Sequence, residues 1–223
     1  AKFLRTPLHA AHVQANDTVY VNPIYLREFT HNFLPVIEHD FVLLTDNWNI
    51  GYLRLQWMPQ VSPTIVASPR LLKWFATDIH FGYTGGMERH PKVAPFPLGL
   101  KQNIPSAKAA FRRRPIAIYK AMFNETLHNP SLLEKTIPIF AGYIQRTNPQ
   151  RQEIPSGRKK LDYDVYLGKL AHAQYVLSPD GDHPDCHRPY EAIGMGAMPI
   201  TQLDPFLYRH LHKGPVIFNN TNW

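Results

Sequence analysis

The stretch that decides the fold is Tyr175-Val-Leu-Ser-Pro-Asp-Gly-Asp-His-Pro-Asp-Cys-His-Arg-Pro-Tyr-Glu-Ala-Ile-Gly-Met-Gly-Ala-Met-Pro-Ile200. Residues 175–177 form an apolar run ended by Ser-Pro, which predicts a strand. Pro189 favours the first position of a short helix, because its fixed φ suits that position. The polar residues between them lie in the connecting loop, where the free N–H groups of a helix N-terminus attract anions. The stretch therefore predicts a strand, a ligand-binding loop, a helix and a second strand.

The rest of the chain alternates in the same way between apolar runs of strand length and amphipathic segments. Strands are predicted over residues 18–21, 41–45, 64–67, 92–96, 116–119, 137–144 and 216–218, and helices over residues 24–37, 69–75, 130–135 and 163–172. Such alternation indicates an α/β protein with mostly parallel sheets. A polar stretch over residues 101–115 separates two patterned halves. We therefore expect two Rossmann-like halves, residues 1–104 and residues 105–223.

The loop and the helix that follows it carry the candidate ligand-binding residues. Arg188 and Glu191 are three apart, so they share one face of the helix. An arginine there suits a phosphate, and a glutamate can accept hydrogen bonds from two hydroxyl groups of a ribose or sugar. Gly181 would allow a ligand to approach the backbone closely. The remaining polar candidates in this region are Ser178, Asp185 and His187.

Two further basic residues are candidates for binding a diphosphate. Arg151 follows the predicted strand 137–144 and the turn Thr147-Asn-Pro-Gln150, and Lys101 lies directly after Pro97-Leu-Gly-Leu100, between the two halves.

These residues carry a family resemblance. Three runs of sequence together resemble the nucleotide-sugar-binding segment of exostosin-like glycosyltransferases of the GT-B fold. They are, in chain order, Ser178-Pro-Asp-Gly, Asp185-Cys-His-Arg-Pro-Tyr-Glu-Ala-Ile and Gly196-Ala-Met-Pro-Ile. The resemblance extends over residues 137–201 and is looser over residues 1–104. It implies that the C-terminal half binds a nucleotide-diphosphate sugar, with a UDP-sugar favoured, and that the N-terminal half binds a glycan or glycoconjugate acceptor. It also implies an inverting transfer that requires no metal or other cofactor.

The catalytic base of such a transferase would come from the N-terminal half. An inverting reaction needs a group that takes the proton of the acceptor hydroxyl. Asp46, which ends the predicted buried strand 41–45, is the first candidate, and Asp78 and His80 are its rivals.

Other site chemistries remain as alternatives. Asp180-Gly-Asp182 is an Asp-x-Asp sequence of the kind that holds a divalent metal in GT-A glycosyltransferases. His183, Cys186 and His187 suggest zinc, but Pro184 disfavours a regular helix between the histidines, and the chain has a single cysteine. The chain has no dinucleotide-binding glycine motif, P-loop, zincin motif or nucleophile elbow, so those enzyme classes lose their usual support.

Composition restricts the partners without naming one. The net charge of +7 suits an anionic ligand, and together with an aromatic share of 12% it keeps open a non-catalytic module that binds carbohydrate or nucleic acid. Nucleic acid is not the favoured partner. No apolar run is long enough to cross a bilayer, and the single cysteine favours a reducing compartment such as the cytoplasm over the Golgi lumen.

Overall fold

The fold is taken from a computed structural model that describes residues 2–3, 10–45, 58–77, 79, 84–100, 115–129, 131, 134–144, 151, 154, 157, 159–181 and 185–219. Contacts divide the chain into two units, Ala1–Pro97 and Leu98–Trp223. The boundary was predicted between residues 104 and 105, but residues 98–100 already belong to the second unit. None of the helices in the described ranges has the length and apolar composition needed to cross a bilayer.

The first unit is built on a parallel sheet of five described strands whose spatial order follows the chain. The strands are β1 (Lys2–Phe3), β2 (Asp17–Tyr20), β3 (Phe41–Thr45), β4 (Leu71–Ala76) and β5 (Val93–Pro95). Val19 lies opposite Leu43, and Leu43 lies opposite Trp74, so three buried side chains form a row across the sheet. Trp74 is fully buried, and its indole N–H donates to Thr45 Oγ1 at 2.9 Å. Alternate burial along β3 is the pattern of a strand that packs one face on the core.

Helical segments connect these strands. Between β2 and β3 the chain forms a 3₁₀ helix Pro23–Tyr25, the α-helix α1 (Leu26–Glu28), a π-helix Phe29–Phe33 and a second 3₁₀ helix Leu34–Val36. The predicted helix over residues 24–37 is thus helical but not regular. Pro35, which lacks a backbone N–H, lies where the hydrogen-bonding pattern changes to 3₁₀. Between β3 and β4 lies α2 (Met58–Ala67).

The second unit has a parallel sheet of four described strands, again in chain order. Its strands are β6 (Ile137–Phe140), β7 (Ala173–Ser178), β8 (Met198–Thr201) and β9 (Ile217–Phe218). The helices are α3 (Pro115–His128), α4 (Tyr163–His172) and α5 (His187–Gly194), followed by a 3₁₀ helix Arg209–Lys213. The core joins β7 to all three α-helices; its buried members are Tyr119, Leu167, Leu170, Ala171, Ala173, Val176, Ala192, Met195 and Ala197. Two parallel α/β units confirm the predicted fold class.

Three element predictions were wrong, and residues 134–135 of the predicted helix 130–135 are not helical, while residues 130 and 132–133 lie outside the described ranges. Residues 64–67 belong to α2, residues 71–76 are strand β4, and residues 116–119 belong to α3. Residues 64–67 were predicted as a strand because the β-branched Ile65 and Val66 favour strands. Together with Val61, however, they form the buried face of a helix. Pro115, the first residue of α3, is a helix-start signal that outweighed the apolar run behind it.

The helix of the deciding stretch also begins earlier than expected. Cys186 is the N-cap residue of α5 and His187 is its first residue, so Pro189 is the third. A proline is tolerated there because N–H groups in the first turn have no partner within the helix.

Candidate functional site

Ser178 lies at the carboxyl end of β7, the central point of the candidate site. Its side chain is 1% exposed, and its Oγ has no hydrogen-bond partner in the described part of the chain. Ligands of parallel α/β sheets bind beyond the carboxyl ends of the strands. The strand therefore ends in a buried hydroxyl group at the edge of the sheet where a ligand is expected.

The backbone that follows Ser178 is held from two directions. Arg151 donates through Nε to the carbonyl of Asp180 and through Nη2 to that of Pro179 at 2.9 Å. From the other direction, the N–H of Asp180 donates to Gln202 Oε1 at 3.2 Å. Gly181 comes directly after this held segment and is partly buried. Arg151 therefore lies beside the loop, and its described hydrogen bonds are made to the protein's own backbone.

The side chain of Asp180 is largely removed from solvent. Its Oδ1 is buried and has no hydrogen-bond partner within the described ranges. Burial raises the pKa of this carboxyl from its ordinary 3.8 to about 6, although the nearby Arg151 guanidinium acts in the opposite direction. Asp180 is therefore ionised at neutral pH at a cost in stability.

Arg188 ties the ends of two strands together. Its Nη1 donates to the carbonyls of Ala141 at 2.7 Å and Leu177 at 3.4 Å, and its Nη2 donates to that of Tyr143 at 2.6 Å. Ala141 and Tyr143 follow β6, and Leu177 is the residue before the last in β7. The guanidinium therefore lies at the same carboxyl edge as Ser178.

The turn after β6 is shaped to admit Arg188. Gly142 has φ +61°, a conformation that glycine adopts without strain. A Cβ on Gly142 would lie 2.9 Å from Cζ of Phe140 and 3.6 Å from Nη1 of Arg188. The carbonyl of Gly142 also accepts a hydrogen bond from the N–H of Gly157. Glycine is required in this turn for both the backbone conformation and the space.

Glu191 is buried and bound by two tyrosines of α4. Tyr163 Oη donates to Oε1 at 2.6 Å, and Tyr166 Oη donates to Oε2 at 3.0 Å. Burial, together with the negative charge of Glu191, raises the pKa values of both phenols. The ring of Tyr166 also lies under the guanidinium of Arg188, 5.7 Å from Cζ to the ring centroid. Tyr166 thus connects the two residues that the sequence placed on one helix face.

The binding of ribose by Glu191 stays a prediction. Each carboxylate oxygen has a second acceptor position, but the described partners of Glu191 are tyrosines. The sequence analysis missed Tyr163 and Tyr166, although their spacing places them on one face of a predicted helix.

Asp185 and His187 hold the segment that enters the second unit. Asp185 is 1% exposed, and its Oδ2 accepts a hydrogen bond from the N–H of Leu98 at 2.9 Å. His187 Nδ1 lies 2.7 Å from the carbonyl of Gly99, so this nitrogen carries the proton and donates. Burial and the charge of Asp185 raise the pKa of Tyr190. Both predicted phosphate-pocket residues thus make contacts to residues far away in the chain, which spacing along the chain could not predict.

Cys186 is poorly suited to nucleophilic chemistry. Burial raises the pKa of its thiol from 9.0 to about 11, with Arg188 acting in the opposite direction. The thiolate is the reactive form, so this thiol is largely unreactive at neutral pH. Within the described ranges, His, Cys, Asp and Glu side chains form no group of three or more that could hold a metal ion.

Several predicted residues lie outside the described ranges: Asp46, Asp78, His80, Lys101, Asp182 and His183. Their roles stay predictions. The structure brings together Arg151, Ser178, Gly181, Arg188 and Glu191 around the carboxyl ends of β6 and β7, with Asp185 and His187 at the start of α5.

No protein-family model matches the chain, and no curated protein is significantly similar to it in sequence.

Proposed function

We propose that this protein is a glycosyltransferase that moves a sugar from a nucleotide-diphosphate sugar, with UDP as the favoured nucleotide, to a hydroxyl group of a glycan or glycoconjugate. The observation that carries the proposal is the position of Arg151 and Arg188 at the carboxyl ends of parallel strands. Two guanidinium groups at such an edge suit a diphosphate. The resemblance of residues 137–201 to exostosin-like transferases supports the same chemistry.

The reaction is a direct displacement at the anomeric carbon. The acceptor oxygen forms a bond to that carbon as the bond to the diphosphate oxygen breaks, and the nucleoside diphosphate leaves with the electron pair. Arginine side chains would stabilise its negative charge, a role that preorganised cationic groups perform well in a site shielded from water. A guanidinium has five N–H donors, so the carbonyl contacts of Arg188 are compatible with binding an anion as well. The acceptor's proton would pass to a base, for which Asp46 is the candidate.

Turnover of a labelled nucleotide sugar tests the proposal. The wild type should release sugar to water or transfer it to a glycan acceptor. Arg188→Ala should weaken binding of the nucleotide by about 1.5–3 kcal/mol, as expected for a lost hydrogen bond to a charged group. Arg188→Lys keeps the charge without the planar fork and should lie between the two. Arg209→Ala is the matched control, because Arg209 is an exposed arginine of the same unit whose guanidinium stacks on Phe206.

The same assay separates the alternatives. Activity that persists in EDTA agrees with charge neutralisation by arginine, whereas a loss of activity that Mn²⁺ or Mg²⁺ restores would favour the metal-dependent GT-A chemistry of Asp180 and Asp182. Binding without any turnover would favour a non-catalytic module.

The role of Asp46 has its own test. Asp46→Asn should lower kcat by about 10²- to 10⁴-fold and leave donor affinity near that of the wild type, because the amide cannot take the proton. A near-normal kcat would exclude Asp46 as the base and direct the same measurement to Asp78 and His80.

A further inference from the structure

Two buried oxygen atoms near the end of β7 have no hydrogen-bond partner among the described residues. They are Oγ of Ser178 and Oδ1 of Asp180, and they are two residues apart in the chain. Buried polar groups in folded proteins are almost always hydrogen-bonded, because leaving them unpaired costs free energy. Two side-chain oxygens so close in sequence, unpaired among the described residues and at the edge of the sheet where ligands bind, point to a hydrogen-bonding ligand.

The backbone that carries these atoms is fixed. Arg151 binds the carbonyls of Pro179 and Asp180, and Gln202 accepts from the N–H of Asp180. Ser178 is itself paired in the sheet, opposite Thr201 of β8. The backbone positions from which both side chains project are therefore held in place. Such a held arrangement is typical of a site organised before its ligand binds.

The chemistry of the two groups selects the ligand. A serine hydroxyl donates one hydrogen bond and accepts others, whereas a carboxylate oxygen only accepts. The carboxyl of Asp180, with its pKa of about 6, is ionised at neutral pH and would repel a phosphate. A hydroxyl group suits both oxygens, because it can donate to the carboxylate and accept from the serine. Neighbouring hydroxyl groups are the common feature of sugars.

We propose that Ser178 and Asp180 form a subsite that binds hydroxyl groups of the donor's sugar, beside the arginines that would bind its diphosphate. This inference rests on the proposed function for the identity of the ligand. It assigns Asp180 to sugar recognition rather than to a metal, and it separates the recognition of the sugar from that of the nucleotide.

The experiment compares binding of UDP with binding of UDP-sugars by isothermal titration calorimetry. The UDP-sugars are UDP-glucose, UDP-galactose, UDP-xylose and UDP-N-acetylglucosamine, and the variants are Ser178→Ala and Asp180→Asn. Each variant should weaken binding of the preferred UDP-sugar by about 10-fold or more and leave binding of UDP unchanged, because only the sugar loses a hydrogen bond. Arg188→Ala should weaken binding of both ligands.

Two controls match the variants. Ser62→Ala removes another buried serine hydroxyl without a partner, in α2 of the first unit, and Glu125→Gln removes an exposed carboxylate of the second unit. Neither should change the affinity for either ligand.

The outcomes separate the two proposals. If the wild type binds UDP and a UDP-sugar, and if both subsite variants retain wild-type affinity for the sugar, the subsite is overturned and the proposed function stands. Equal weakening of UDP and UDP-sugar binding also overturns the subsite, because it assigns these residues to the nucleotide. If the wild type binds none of these ligands, nor GDP and GDP-sugars, both proposals fail.

Discussion

Replacing Asp180 by asparagine should make the protein more stable at neutral pH. The carboxyl titrates at about 6 in the folded protein, compared with an ordinary value of 3.8, because burial disfavours its charged form. This difference corresponds to about 3 kcal/mol by which ionisation of Asp180 destabilises the folded state at pH 7. Asparagine has nearly the same shape and no charge. Asp180→Asn should therefore raise the free energy of unfolding by up to about 3 kcal/mol at pH 7.

The sign of the pH dependence follows from the raised pKa. The folded state holds the proton of Asp180 more tightly than the unfolded state, so this group destabilises least below its ordinary pKa of 3.8. Stability should fall as the pH rises from there through about 6 and should level off above that value. In Asp180→Asn this decline should be absent, so the two proteins should differ little near pH 4 and most at pH 7.

Urea denaturation followed by circular dichroism between pH 4 and 7.5 measures this difference. At pH 7, labelling of Cys186, the only cysteine of the chain, reports unfolding of the second unit specifically. Glu125→Gln controls for the loss of an exposed carboxylate and should change stability by less than about 0.5 kcal/mol. An Asp180→Asn variant that is no more stable than the wild type at pH 7, or whose gain is the same at every pH, would refute the reasoning from burial.

Three further predictions concern packing and reactivity in the second unit. Gly194→Ala should destabilise the protein by about 1–3 kcal/mol, because the new Cβ would lie 1.3 Å from the hydroxyl oxygen of Tyr119. Gly168→Ala, whose new Cβ has no neighbour nearer than 3.8 Å, should instead stabilise helix α4 by about 0.5–1 kcal/mol. The urea midpoints of both variants measure this difference, and equal effects would contradict it. Lys135→Met should lower the free energy of unfolding by about 1–3 kcal/mol, because Nζ of Lys135 donates to the carbonyl of Ala171 near the end of α4 at 2.7 Å and to that of Met195 after α5 at 3.3 Å. An unchanged urea midpoint would show that these hydrogen bonds contribute nothing. Cys186 should react with maleimide at pH 7 about 100-fold more slowly in the folded protein than in urea, because the rise in its pKa to about 11 lowers the thiolate fraction by that factor. Comparable rates in the two states would show that the thiol is not buried in solution.

Local patterns predicted the elements that the fold uses most directly. Strand β3 (Phe41–Thr45) and helix α4 (Tyr163–His172) have the predicted bounds. In both, the spacing of apolar residues agrees with the burial that the fold requires. The end of helix α2 was predicted as a strand because Thr64 to Val66 favour a strand locally. Strand β4, in turn, was predicted as a helix. The packing of α2 against the sheet overrode that preference, as tertiary contacts often do.

The elements that carry the candidate residues could also be predicted, but the contacts of those residues could not. The sequence places Ser178 at a strand end and Arg188 in the helix that follows, and both lie there. It gave no sign that Arg188 would bind the carbonyls of Ala141 and Tyr143, or that Glu191 would accept from two tyrosines. These partners come from elements far away in the chain, which meet only when parallel strands align their carboxyl ends.

By itself, the sequence determined that this is an α/β protein of two parallel-sheet units and that polar residues gather after Leu177. Both features depend on hydrophobic periodicity and on short-range stereochemistry, which neighbouring residues set. Only the tertiary structure decided which groups are paired. It joined Asp185 and His187 to the backbone of residues 98–99, enclosed Glu191 among tyrosines, and left Oγ of Ser178 and Oδ1 of Asp180 buried without a partner among the described residues. Burial and long-range hydrogen bonds depend on how whole elements pack, so they are fixed only when the chain folds.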